Sequence, residues 1–117
     1  MLLSSLLLSL FVCATAYAQD NDVPFVVTPD NVTREMLKLA GVKASDFVID
    51  LGSGDGRIVI VAAKHFGARG LGVEIVPELV EKSRDNAKKA GVADRAEFRV
   101  QDLFATDLSN AEIVAAV

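Results

Sequence analysis

Phe47-Val48-Ile49-Asp50-Leu51-Gly52-Ser53-Gly54-Asp55-Gly56-Arg57 is the stretch whose reading decides the fold. Phe47 to Leu51 is apolar and β-branched around a single acid, the composition of a buried strand. Gly52 to Gly56 then forms a turn in which glycines let the backbone bend sharply and leave no Cβ in the way of a ligand. Arg57 to Phe66 continues as a helix, with Ile58, Val61, Ala62 and Phe66 at helical spacing. Strand, glycine-rich turn and helix in direct succession make the opening of a βαβ unit.

Working outward, the same alternation repeats. Thr28-Pro29-Asp30 starts an earlier helix, Thr28 as cap and Pro29 in the first turn, where its missing N–H is harmless. Val32, Met36, Leu37, Leu39 and Ala40 supply its expected apolar face, and Gly41 ends it. Gly70 to Ile75 reads as a second strand and Pro77 opens a helix lined by Leu79, Val80, Ser83, Ala87 and Ala90, stopped by Gly91. Ala96 to Val100 is a third strand, and a fourth begins at Ala111. The expectation is an α/β domain: a three-layer, Rossmann-like parallel sheet with right-handed crossovers and helices on both faces, of which about the first four strands are present.

The ligand of such a turn is read from its details. A dinucleotide fingerprint is G-x-G-x-x-G; here Gly52, Gly54 and Gly56 alternate, and Arg57 stands where the third glycine of that fingerprint would be. Asp50, at the strand end, would repel a pyrophosphate but suits a ligand bearing an ammonium and a sulfonium. Glu74 ends the second strand, where a carboxylate can accept from both ribose hydroxyls. Asp102 follows the third strand, within reach of an adenine amino group. Each acid alone could be an ordinary strand-end residue, Asp102 most readily. Three of them on successive strand ends around a glycine turn make an adenosine site.

These residues resemble motif I and the acidic positions that follow it in class I S-adenosylmethionine (SAM)-dependent methyltransferases. More narrowly, Val23-Pro24-Phe25-Val26, Thr28-Pro29, Asp50 to Ile58, Gly72-Val73-Glu74 with Pro77, and Asp102-Leu103 resemble bacterial relatives of the mitochondrial lysine N-methyltransferases that modify the ATP synthase c-subunit. The resemblance implies SAM as cofactor and a methyl acceptor such as a protein lysine. It implies that the backbone of Gly52, Ser53, Gly54 and Gly56 passes the methionine moiety, with Asp50 beneath it. Glu74 would hold the ribose, Asp102 the adenine amino group with Leu103 near the ring, and Thr28 would close over the cofactor. Class I enzymes have a seven-stranded sheet, and the segment after strand four usually positions the substrate, so no catalytic residue is named and the chain reads as a fragment that is inactive alone. The alternative reading is a non-catalytic SAM- or nucleotide-binding module.

Composition narrows the partners. The 117 residues carry a net charge of −4 with no basic run, which argues against binding nucleic acid through phosphate neutralisation. Cys13 and His65 are the only residues of their kinds, so no cysteine- or histidine-based metal site can form, and His65 reads as an ordinary helix-end residue.

Met1 to Ala18 contains no Asp, Glu, Lys or Arg and ends Ala16-Tyr17-Ala18, the pattern of a secretory signal cleaved before Gln19. An uncleaved membrane tether is the second reading, although the serine-dotted run falls short of the roughly 20 apolar residues that span a bilayer. Residues 1–18 are thus leader and 19–117 domain, in an exported or tethered protein. The expected outcome is a mature N-terminus at Gln19 by mass spectrometry; intact Met1 in protein recovered from cytosol would count against it.

Overall fold

The computed structural model describes residues 28–116, so the leader lies outside the described residues. Among them are helices α1 (Asp30–Leu39), α2 (Arg57–Phe66) and α3 (Pro77–Lys89) and strands β1 (Phe47–Leu51), β2 (Arg69–Glu74), β3 (Ala96–Val100) and β4 (Ile113–Ala116). A short 3-10 turn, Leu103–Ala105, lies between β3 and β4. No helix among the described residues is long and apolar enough to cross a membrane.

All strand pairs are parallel and the order is β3-β2-β1-β4. Winding runs outward from β1 to β3, then returns to place β4 on the other side of β1. That reversal opens a crevice beyond the carboxyl ends of the strands, where open α/β sheets bind ligands. The βαβ expectation from the sequence is met.

The three helices occupy one face of the sheet. Val59 and Ala63 of α2 pack with Val80 and Ala87 of α3 over Ala96 and Phe98 of β3. Leu37 of α1 and Val61 and Ala62 of α2 pack with Val48 of β1. Successive right-handed crossovers in one direction must put their helices on the same side, so the described residues supply two of the three expected layers. The opposite face carries a separate cluster of Ile49, Leu71 and Val73.

Helix α2 lies between the sheet and α1, so Val59, Val61, Ala62 and Ala63 are all buried, a wider face than the sequence spacing suggested. Gly41, Gly67 and Gly91 terminate α1, α2 and α3 in the left-handed region, with φ of 74°, 70° and 75°.

Helix α1 corrects the sequence reading twice. Pro29, not Thr28, is its N-cap residue, and no side chain caps it. The Pro29 carbonyl accepts from the amides of Val32 and Thr33 at 3.1 and 3.0 Å. Its buried residues are Thr33 and Leu37, while Val32, Met36 and Leu39 face outward, Leu39 with 87% of its surface exposed. Thr33 can go inside because its hydroxyl donates to the Pro29 carbonyl at 3.3 Å, which removes the cost of burying it.

Candidate cofactor site

Asp50 ends the buried part of β1, and side-chain alternation aims it at the helical face beside Gly70 and Gly72 of β2. It is 1% exposed, and among the described residues its Oδ1 has no hydrogen-bond partner. Burial, with Glu74 adding like-charge repulsion, pushes its carboxyl up to about 7. Ser53, 7% exposed, likewise leaves its hydroxyl unpartnered.

The turn is bonded almost throughout. Amides of Gly52 and Ser53 donate to the Val73 carbonyl at 2.9 and 3.0 Å, and that of Gly56 donates to the Ser53 carbonyl at 2.9 Å. Gly54 N–H donates to Glu74 Oε1 at 3.0 Å and Arg57 N–H to Asp55 Oδ1 at 3.2 Å. From α3, Asn86 Nδ2 donates to the Asp55 carbonyl at 3.1 Å. The Ser83 hydroxyl lies 2.9 Å from both the Gly54 and Leu79 carbonyls and shares its one proton between them. The sequence pattern showed Ser83 only as a helix-face residue and did not show Asn86 at all.

The glycines differ in purpose. Gly52 has φ of 80° and open space where a Cβ would stand, so a ligand can lie against its backbone. Gly56 has φ of 85°, and a Cβ there would come within 2.8 Å of the Phe98 ring and 2.9 Å of Ser83 Cβ. The space expected to admit a ligand at Gly56 is therefore filled by β3 and α3. Gly72 does the same inside the sheet, where a Cβ would lie 2.6 Å from Phe98 and 2.7 Å from Ser53. A glycine inside a strand signals such close approach, and this was the available sequence clue to Phe98.

Glu74 is held at both oxygens, Oε1 by the Gly54 amide and Oε2 by the Val76 amide, each at 3.0 Å. Two fixed bonds orient the carboxylate while each oxygen keeps a lone pair for a ligand. Asp102 caps the 3-10 turn, accepting from Phe104 N–H at 2.9 Å through Oδ1. Gly52, Glu74, Asp102 and Leu103 line one cleft of about 260 Å³ together with Ile75, Gln101 and Phe104. Asp50 and Ser53 lie buried, next to the turn and to Gly72. Thr28 is not part of this lining; its carbonyl accepts from the Arg57 guanidinium, which also pairs with Asp30 at 3.4 Å and Asp55 at 3.3 Å. A larger depression of about 480 Å³, lined by residues such as Arg34, Lys38, His65 and Phe66, lies between α1 and the C-terminal end of α2, away from the turn. His65 is an exposed helix-end residue there.

Residues 50–116 match the family model of the ANTKMT methyltransferase domain. The chain belongs to that methyltransferase family. It is 45% identical over 93 residues to a protein-lysine N-methyltransferase of Saccharolobus islandicus (strain REY15A), covering 79% of this chain and 58% of that one. Against the ATP synthase c-subunit lysine N-methyltransferase of Xenopus laevis it is 39% identical over 87 residues, covering 74% and 38%. A crystal structure of an RNA methyltransferase from Salinibacter ruber in complex with S-adenosyl-L-homocysteine is 58% identical, with a TM-score of 0.75 over 78% of this chain and 60% of that one. The chain thus spans less than two thirds of the length of each of these relatives. Both levels of the resemblance read from motif I, to class I enzymes and to the lysine methyltransferases, are borne out.

Proposed function

We propose that this domain is the SAM-binding part of a methyltransferase whose acceptor is a protein lysine. The observation that carries the choice of cofactor is the state of the turn. A pyrophosphate is cradled by free amides of the glycine turn as well as of the helix start, yet the turn amides of Gly52, Ser53, Gly54 and Gly56 and the first helical amide, that of Arg57, are engaged within the protein. SAM has no phosphate, and it brings what the site lacks. Its ribose hydroxyls are donors for the fixed Glu74 carboxylate, and its positive charge suits the unpartnered Asp50. Leu103 and Ile75 offer apolar surface to the adenine ring, and Gly52 lets the methionine backbone pass. The relative from Salinibacter ruber, which holds S-adenosyl-L-homocysteine, supports this fit.

When bound, SAM supplies a methyl group already activated on a sulfonium. This chain's residues then contribute position and orientation, with Glu74 and the turn fixing the ribose end. A lysine acceptor must lose its ammonium proton before it can attack. The lysine N-methyltransferases among the relatives support that acceptor. The RNA methyltransferase of Salinibacter ruber favours a second reading, RNA, but the net charge of −4 and the lack of a basic run weigh against it.

The test uses the full-length protein. Thermal shift should show stabilisation by SAM and S-adenosylhomocysteine but not by NAD, and methyl label should reach lysines of a protein panel rather than RNA. Stabilisation by NAD alone would reverse the cofactor assignment, and label on RNA alone the acceptor. In calorimetry, Glu74→Ala is expected to weaken SAM binding by roughly 1.5–3 kcal/mol, on the order of 10- to 100-fold. Unchanged affinity would remove Glu74 from the site.

A further inference from the structure

We infer that this site takes its cationic ligand only with Asp50 as a carboxylate, so that binding expels a proton from this buried acid, which lies on the same side of the sheet as the unpartnered Ser53 hydroxyl. The inference rests on the proposed SAM reading and adds a proton to its binding reaction. Asp50 Oδ1 and Ser53 Oγ are buried side-chain atoms with no partner. They lie on the same side of the sheet: Gly72 is the lateral partner of Asp50, and the Ser53 hydroxyl is 2.7 Å from where a Gly72 Cβ would stand. A buried carboxylate without a partner is costly, and a neutral acid is the cheaper form.

Among the described residues, nothing charged on the surrounding elements relieves that cost. From β2 the facing group is Glu74, a like charge. At the start of α2, Arg57 is committed to Asp30, Asp55 and the Thr28 carbonyl. From α3 the turn meets Ser83 and Asn86, both neutral, while Arg84 donates to Glu81 and to the Phe98 carbonyl. The neighbour on β4 is Ala115, and β3 contributes the Phe98 ring. Among the described residues none supplies the positive charge that would hold Asp50 ionised, and a cationic ligand does. Charge balances as neutral acid plus cation giving an ion pair plus one proton to solvent. With the free carboxyl pushed up to about 7, affinity falls as pH drops below that point. The fall approaches tenfold per pH unit, the limit for one linked proton.

Calorimetry of SAM binding to the full-length protein in buffers of different ionisation enthalpy tests this. Close to one proton should be released per SAM at about pH 6 and none from Asp50 at about pH 8.5, with Kd rising as pH falls. Asp50→Asn cannot ionise and should bind SAM far more weakly, and whatever binding remains should release no proton at pH 6 and show no slope. Should that variant fail to fold, infrared spectra of the wild type decide: a protonated-carboxyl band at pH 6 that SAM abolishes supports the coupling, and its absence from the free protein overturns it. SAM binding at pH 6 with no buffer dependence overturns the coupling and leaves the cofactor reading standing. No SAM binding at any pH overturns both.

Discussion

Gly56→Ala is expected to destabilise the domain by roughly 2–5 kcal/mol, combining left-handed backbone strain with overpacking. The residue sits at φ of 85°, and its new Cβ would lie 2.8 Å from two atoms of the Phe98 ring. Phe98 is 2% exposed and packed among Val59, Val80 and Ala87, so it has nowhere to turn. Gly52→Ala is the control, since its φ of 80° is equally strained while the space around it is open. That variant should lose only about 1–2 kcal/mol of stability. Urea unfolding of both variants separates strain from steric conflict, and equal losses would show that the Phe98 contact does not constrain Gly56. Domains of this kind hold about 5–15 kcal/mol in total, so Gly56→Ala also risks failing to accumulate.

The second large effect is a stability that declines as pH rises. Asp50 is pushed up to about 7 in the folded protein from an ordinary value of 3.8, so the folded state keeps this proton where the unfolded chain has released it. Stability therefore falls between about pH 4 and pH 7 by at most about 1.4 kcal/mol per pH unit, on the order of 4 kcal/mol in all. Above pH 7 the contribution is flat. Asp46 and Asp107 work in the opposite sense. The Lys43 amide and ammonium hold Asp46 below the usual range, and the Ser109 amide does so for Asp107. Their contribution is present above the unfolded value and is lost as pH falls through the folded one, so it lies below the window set by Asp50. The measurement is the difference between wild type and Asp50→Asn in urea-unfolding free energy from about pH 4.5 to 8. The difference should change with the slope given and level off above 7. Parallel curves would mean that Asp50 is ionised in the free protein.

Much of this was legible in the sequence because its signals are local. Phe47 to Leu51, the turn and Arg57 to Phe66 appear with the expected bounds, and Glu74 ends β2 as read. Gathering Gly52, Glu74, Asp102 and Leu103 at one cleft followed from strand ends alone, since parallel strands bring their carboxyl ends to one edge. The errors arose where a residue's fate depends on a distant partner. The apolar spacing of α1 pointed to Val32, Met36, Leu37, Leu39 and Ala40, of which Leu37 alone is buried, and Thr33 joins it on the inner side. Gly56 looked like room for a ligand, and it is room for Phe98.

Residue order by itself determined the βαβ alternation, the place of the glycine turn and the identity of the acids on the strand ends. These depend on propensity, period and backbone freedom within a few neighbouring residues. Tertiary structure alone decided that the turn amides are consumed by Val73, Ser53, Glu74 and Asp55 and that Ser83 and Asn86 brace it from α3. It also decided that Asp50 is left buried without a partner. The reason is physical. A hydrogen bond is satisfied, or a carboxylate desolvated, by whatever the fold brings beside it, and nothing in a residue's own neighbourhood along the chain specifies that.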